Sequence, residues 1–290
     1  MASLSDWLEG ARVRTLPAAV SPVLAGTAVA IYEGRFSLPR ALLAAAVALF
    51  FQIGVNFAND YSDGVRGTDD VRTGPPRLTG GGKTAPHVVK AVAFGFFGLG
   101  ALAGLALVAL SGAWWLVGAG IAAVIAAWFY TGGKHPYGYM GLGEVFVMIF
   151  FGYMATVGTT YTQTGTAPWM AWVAGTGVGL IACALLMINN IRDIPTDSRT
   201  GKHTLAVRLG DARARWVYVA MLVGAFGAIV AIGIAHWPTL MGAVVVGLGP
   251  VAIAPRVLRG AQGRELIPVL RDTGLFELLY GVILMITLSA

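Results

Sequence analysis

The sequence predicts an all-α membrane protein: nine transmembrane helices bundled around a central cavity, with the N-terminus in the cytoplasm. Three observations carry this expectation. The 290 residues are 57% hydrophobic and only 12% charged, roughly half the charged fraction of a soluble domain. Mean hydropathy is +0.73, and apolar runs of about 20 residues recur along the chain. Lysine and arginine, finally, are spread very unevenly among the intervening loops.

The first span, 15–33, follows Arg12 and Arg14, and Pro17 and Pro22 within it argue against a cleaved signal peptide. The second, 40–59, runs into a polar stretch. Spans 88–111 and 113–131 meet at Ser111-Gly112, a turn between antiparallel helices that sets Trp114 and Trp115 at interfacial depth. Spans 141–161 and 167–190 follow, the latter running into a second polar stretch. Spans 214–235 and 238–256 join at His236-Trp237-Pro238, and 272–289 is the last. Many of the 40 glycines, such as Gly95, Gly98, Gly100 and Gly104, lie inside spans, where small residues let helices approach. The single cysteine, Cys183, excludes an intramolecular disulfide. Residues 1–290 read as one transmembrane domain without a soluble domain or linker.

With the N-terminus inside, all but Arg35 and Arg40 of the 20 lysines and arginines fall on inner segments, as the positive-inside rule requires. The pI near 9.7 then reflects cationic loops facing an anionic leaflet and an anionic substrate, not a nucleic-acid partner. The acids are mostly inner too. Inner loops 60–87 and 191–213 are long beside the outer turns, and long connections tend to be functional.

Two polar stretches stand out. The first reads Asn56-Phe-Ala-Asn59-Asp60-Tyr61-Ser-Asp63-Gly64, then Arg66-Gly67-Thr68-Asp69-Asp70; the second reads Asn189-Asn190-Ile-Arg192-Asp193-Ile-Pro195-Thr-Asp197. Each sets an Asn four residues before an Asp, a spacing that places both on one face of a helix. Four spans separate them, which suggests a weak four-helix repeat with two acidic sites facing one another across the cavity. Carboxylates at a membrane boundary are costly unless paired or neutralised, and facing clusters repel. Mg²⁺ answers both, because it takes oxygen ligands and keeps waters or substrate phosphates in its shell. A diphosphate bridged by the metal becomes a good leaving group. Asp60, Asp63, Asp193 and Asp197 are thus candidate metal ligands and catalytic residues, with Asp69 and Asp70 as further ligands that could equally pair with nearby arginines. Arg66, Arg77, Lys83, Lys202 and Arg208 would neutralise the remaining phosphate charge, and Asn56, Asn59, Asn189 and Asn190 complete the substrate contacts.

These residues resemble the UbiA superfamily of intramembrane prenyltransferases. Its members carry an N-D-x-x-D-type motif after helix 2 and a D-x-x-x-D motif after helix 6 of a nine-helix bundle, matched here by Asn59-Asp60-x-x-Asp63 and Asp193-x-x-x-Asp197. The family's first motif often ends in a further Asp four residues on; this chain has Gly67 there, and Asp69 or Asp70 would take its place. Finer segments are similar to the branch acting on 1,4-dihydroxy-2-naphthoate in menaquinone synthesis: Arg12-Val-Arg14-Thr15-Leu-Pro17, Gly74-Pro-Pro-Arg77-Leu, Tyr137-Gly-Tyr-Met-Gly-Leu-Gly-Glu144 and Gly201-Lys202-His-Thr204-Leu-Ala-Val-Arg208. The resemblance implies Mg²⁺, a polyprenyl diphosphate donor, an aromatic acid acceptor, and a bacterial plasma membrane, the cell inner membrane. The implied reaction expels diphosphate, prenylates the ring carbon bearing the carboxylate, and releases CO₂.

Other residues carry two readings each. Tyr130, Tyr137 and Tyr139 would stabilise an allylic cation, with Lys134 on the diphosphate, or would form an interfacial aromatic belt. Glu144, at a span entrance, would orient the acceptor hydroxyls or act as a base. Arg14 would bind a carboxylate or phosphate, or anchor the first span. Asp211, Asp272 and Glu277 read as ordinary solvated or paired charges. The rivals are a prenyltransferase with another acceptor (4-hydroxybenzoate or a haem intermediate), a secondary transporter, and a lipid phosphotransferase. A transporter would hold its acids near mid-membrane, where the spans here carry almost none.

Overall fold

The computed structural model describes residues 2–67, 77–133 and 136–290, apart from the side chain of Arg14. The expectations for Asp69, Asp70 and Lys134, and for the side chain of Arg14, lie outside the described residues. Within them every regular element is helical: α1 (Leu4–Gly10), α2 (Pro17–Tyr32), α3 (Leu38–Arg66), α4 (Pro86–Ser111), α5 (Leu116–Thr131), α6 (Gly143–Thr164), α7 (Trp169–Asp197), α8 (Leu205–Leu209), α9 (Asp211–Ala235), α10 (Trp237–Leu258) and α11 (Leu266–Leu288). Proline opens α2, α3, α4 and α10, where a missing N–H costs nothing. Gly67 and Gly112, at φ +73° and +72°, end α3 and α4 in the left-handed conformation that glycine adopts without strain.

Among the described residues six helices are long and apolar enough to cross a membrane: α3, α4, α6, α7, α9 and α10. Two more, α2 and α5, are apolar but shorter. Helix α11 spans 23 residues but carries Arg271, Asp272 and Glu277. The outward faces are apolar, with Leu102, Val244 and Val251 exposed by 66%, 67% and 72%. Water would not tolerate so continuous an apolar surface, and lipid does.

Helix α7 is the centre of the packing. Ala174, Val178, Ile181, Ala184, Met187 and Ile188 along it are fully enclosed, and it contacts α2, α6, α9 and α11. Helices α2 and α11, from opposite ends of the chain, lie together, where the Ser21 hydroxyl donates to the Glu277 carbonyl. Helix α6 crosses α7 closely: a Cβ on Gly175 would stand 2.8 Å from the Gly152 carbonyl oxygen, the approach that small residues permit between membrane helices. Gly152 lies in a π-helical stretch, Met148–Met154, that the apolar periodicity does not betray.

Three differences from the sequence reading bear on the site. Helix α3 runs past residue 59 to Arg66 and α7 past 190 to Asp197, so the acids ride on helix ends and not in loops. Their polar side chains find tertiary partners, and polarity alone does not stop a helix whose groups are satisfied. The short α1 was not anticipated; Ser3 and Asp6 cap it reciprocally, and Trp7 packs on Phe57 at 5.7 Å. Glu277 is not an ordinary charge. It is fully buried, and neither carboxylate oxygen has a hydrogen-bond partner among the described residues. Asp211 and Asp272 do pair, with Arg215 at 2.7 Å and with Arg256 at 2.6 Å.

Candidate active site

The C-terminal turns of α3 and α7 build the site. On α3, Asn56, Asn59, Asp60 and Asp63 follow at steps of three and four and project from one face. On α7, Asn189, Asp193 and Asp197 do the same at steps of four, with Arg192 and Thr196 between them. All of these line a single cavity of about 1890 Å³. The cavity continues away from them between apolar walls that include Phe51, Leu105, Ile121, Phe150 and Met154. One vessel thus has a charged end and a greasy end.

A chain of contacts joins the two acidic helices. Arg77 Nη1 lies 2.9 Å from Asp63 Oδ2, and the Tyr139 hydroxyl donates to Asp63 Oδ1 at 3.0 Å. The Lys202 ammonium stands 5.2 Å over the Tyr139 ring and 3.9 Å from Asp197 Oδ1. Arg192 grips Asp193 through two bonds of 2.8 and 2.7 Å, the bidentate geometry that suits guanidinium to carboxylate. Asp197 Oδ2 is buried with no partner among the described residues.

The first motif also fastens the fold. Both Asp60 oxygens accept backbone N–H groups, from Leu78 at 3.1 Å and Thr79 at 2.9 Å. This holds in place the segment that carries Arg77. The Asn56 amide donates to the Ala11 carbonyl at 2.9 Å, and Asn59 accepts from the Thr131 hydroxyl at 2.7 Å. In the second motif the adjacent asparagines part company. Asn189 lines the cavity, whereas Asn190, about 100° further round the helix, donates to Glu144 Oε1 at 3.3 Å. Glu144 is buried off the cavity wall, so it is not placed to act on the acceptor as the sequence suggests, and its other oxygen has no partner among the described residues.

The aromatic side of the cavity includes Tyr130, Tyr137 and Phe146. Tyr137 stacks on Phe146 with centroids 3.9 Å apart and donates to the Ala126 carbonyl at 2.8 Å; burial raises its phenol above the ordinary range. Three cations named from the sequence are engaged elsewhere. Arg66 donates to the carbonyls of Thr131 and Gly133 and lies 5.5 Å over the Tyr139 ring. Lys83 pairs with Asp6 of α1, and that ammonium, with help from Ser3, holds the Asp6 carboxyl well below its usual range. Arg208 donates to the His203 carbonyl at 3.3 Å. Sequence reasoning missed others: Arg12, Arg192, Arg264 and Arg271 all line the cavity. Arg192 was visible as the cation inside the second motif. Arg12 is the one non-glycine among the described residues with positive φ, at 52°, which no sequence pattern announces.

An all-helical membrane fold with two acidic helix ends on one cavity defines a polytopic protein built for an amphiphilic anion. Residues 19–265 match the UbiA prenyltransferase family, and the chain belongs to that family. A relative from Mycobacterium tuberculosis, named 1,4-dihydroxy-2-naphthoate octaprenyltransferase, is 49% identical over 282 residues, covering 97% of this chain and 96% of its own. The apo structure of a UbiA homolog from Aeropyrum pernix K1 superposes with a TM-score of 0.74 at 16% identity, over 93% of this chain and 97% of that one. A UbiA homolog from Archaeoglobus fulgidus bound to DMAPP and Mg²⁺ does so with a TM-score of 0.63 at 16% identity, over 97% and 99%.

Proposed function

We propose that this protein transfers a polyprenyl group from polyprenyl diphosphate to 1,4-dihydroxy-2-naphthoate, releasing diphosphate and CO₂ and leaving demethylmenaquinol, the reduced form of demethylmenaquinone. The observation that carries this reading is the single cavity, acid- and base-lined at one end and apolar at the other, together with the name borne by a relative at 49% identity. The finer topology goes with it. Nine helices, α2 to α7 and α9 to α11, cross a bacterial inner membrane with the N-terminus and both acidic helix ends on the cytoplasmic side, in keeping with the distribution of basic residues.

Mg²⁺ suits the donor set. Among the described residues no three His, Cys, Asp or Glu side chains converge as a dedicated metal cage. Mg²⁺ is commonly held by one or two carboxylates plus substrate phosphates, and the buried Asp197 Oδ2, without a partner among the described residues, is an oxygen suited to it. Asp63, Asp193 and Asp197 are the ligands this reading assigns. Bound there with the diphosphate, the metal would supply positive charge to the departing oxygen.

The chain's own residues do the rest. Arg77, Arg192 and Lys202 neutralise the diphosphate as the allylic C–O bond breaks. Tyr130, Tyr137 and Phe146 present ring faces to the allylic cation. The ring carbon bearing the carboxylate forms the new C–C bond; the bond to the carboxylate then breaks, its electron pair returns to the ring, and CO₂ departs. Membranes carrying the protein, given labelled octaprenyl diphosphate with either aromatic acid, should prenylate 1,4-dihydroxy-2-naphthoate. Transfer to 4-hydroxybenzoate alone would rule the assignment out.

A further inference from the structure

Helix interiors disfavour glycine, so a glycine there needs a reason, and on α4 two neighbouring glycines have different ones. Gly100 and Gly104 sit one turn apart on the same face, and both line the cavity. A Cβ on Gly100 would strike the Phe51 ring at 2.6 Å; that glycine exists so that α3 and α4 can pack. A Cβ on Gly104 would meet only Val47 Cγ2, at 3.8 Å. Gly120 on α5 and Gly158 on α6 also line the cavity, and a Cβ on either would meet nothing within 4 Å among the described residues. These three leave space that no neighbour fills.

They also share one level. The Trp115 and Tyr161 rings touch at 5.3 Å, which matches the far end of α5 to that of α6. Gly120 lies about 7.5 Å below the first and Gly158 about 4.5 Å below the second, at 1.5 Å per residue. Arg40 bonds the carbonyl oxygens of both Leu110, at 2.6 Å, and Gln163, at 3.3 Å, matching α4 to α6. Gly104 is then about 9 Å below that contact and Gly158 about 7.5 Å below it. Val47, the neighbour of Gly104, precedes Asp60 on α3 by about 20 Å of helix. Beyond this level the cavity continues to Leu107, Val108, Leu116 and Val117.

We propose that Gly104, Gly120 and Gly158 form an open ring, about 20 Å from the acidic end, through which a long prenyl tail passes, so that these positions set the longest donor the protein accepts. The inference rests on the prenyl-transfer reading and adds to it the determinant of chain length. A side chain at the ring would close the far compartment to the tail and leave the space between the ring and the acids intact. Short donors fit below the ring, and long ones do not.

The test compares transfer from geranyl and octaprenyl diphosphate in purified protein. In Gly104→Phe, Gly120→Leu and Gly158→Leu, the octaprenyl-to-geranyl ratio of kcat/KM should fall by at least about tenfold, in line with steric discrimination in apolar pockets. Gly118→Leu, whose Cβ also meets nothing within 4 Å but which lies off the cavity wall, should leave the ratio unchanged. Gel filtration in detergent identifies any variant that fails to fold, and the other two positions then carry the comparison. An unchanged ratio in folded ring variants, or equal loss with both donors, would overturn the ring. Wild-type protein that transfers neither group would overturn the prenyl-transfer reading itself, and the ring with it.

Discussion

Asp63→Asn and Asp193→Asn should each lower kcat/KM for prenyl transfer by at least about 10²-fold, the scale on which removing one preorganised charge-stabilising group acts, while the protein stays inserted in the membrane. Asparagine keeps the shape of each side chain. At residue 63 it can still accept from Tyr139, now 3.0 Å from Oδ1. What it loses is the negative charge that the proposed metal–diphosphate complex needs on each wall. Because the two acids act on one leaving group, the double variant should be little slower than either single one, as groups working as a unit are strongly non-additive. Initial rates in membranes matched for protein content check this. Turnover near the wild-type rate in either single variant would remove that wall from the site.

Asp60→Asn should cost stability as well as activity, which distinguishes it from Asp193→Asn. Both Asp60 oxygens accept backbone N–H groups in a buried setting. An amide there turns one acceptor into a donor facing a donor, and a buried N–H left unpaired costs about 1–3 kcal/mol. The segment from Arg77 to Thr79 then loosens, and Arg77 no longer meets Asp63. Asp193 sits differently, 30% exposed and held by its neighbour Arg192, so its loss should leave the melting temperature nearly unchanged. Thermal denaturation in detergent separates the two. An Asp60→Asn protein that melts with the wild type would show that these backbone bonds contribute nothing.

The long apolar helices were legible in the sequence because lipid demands continuous apolar runs, and composition reports these directly. The acidic stretches were legible for the converse reason, since a chain with 12% charged residues concentrates charge where it has a use. The ends of α3 and α7 were not legible. Asp60 and Asp63 look like a loop until their partners at Thr79 and Tyr139 are known, and those lie 19 and 76 positions away. The divergence of Asn189 from Asn190 depends on where Glu144 lies. The pairing of Lys83 with Asp6 spans 77 positions, and a cation so placed is indistinguishable in sequence from one on the cavity. Glu277 defeats sequence reasoning altogether, because nothing local to it announces complete burial. The glycines teach the same lesson, for only the neighbouring Phe51 separates the reason for Gly100 from that for Gly104.

On the prenyl-transfer reading the two acidic helix ends act as one Mg²⁺-dependent diphosphate site, and transfer there expels the acceptor's carboxyl group. Carboxyl-labelled 1,4-dihydroxy-2-naphthoate and octaprenyl diphosphate, given to the purified protein, test both parts at once. Labelled CO₂ should appear one for one with prenylated product, cease when EDTA removes divalent metal, and return with added Mg²⁺. Product formed at the same rate in EDTA, or formed with its carboxyl group retained, would overturn that reading.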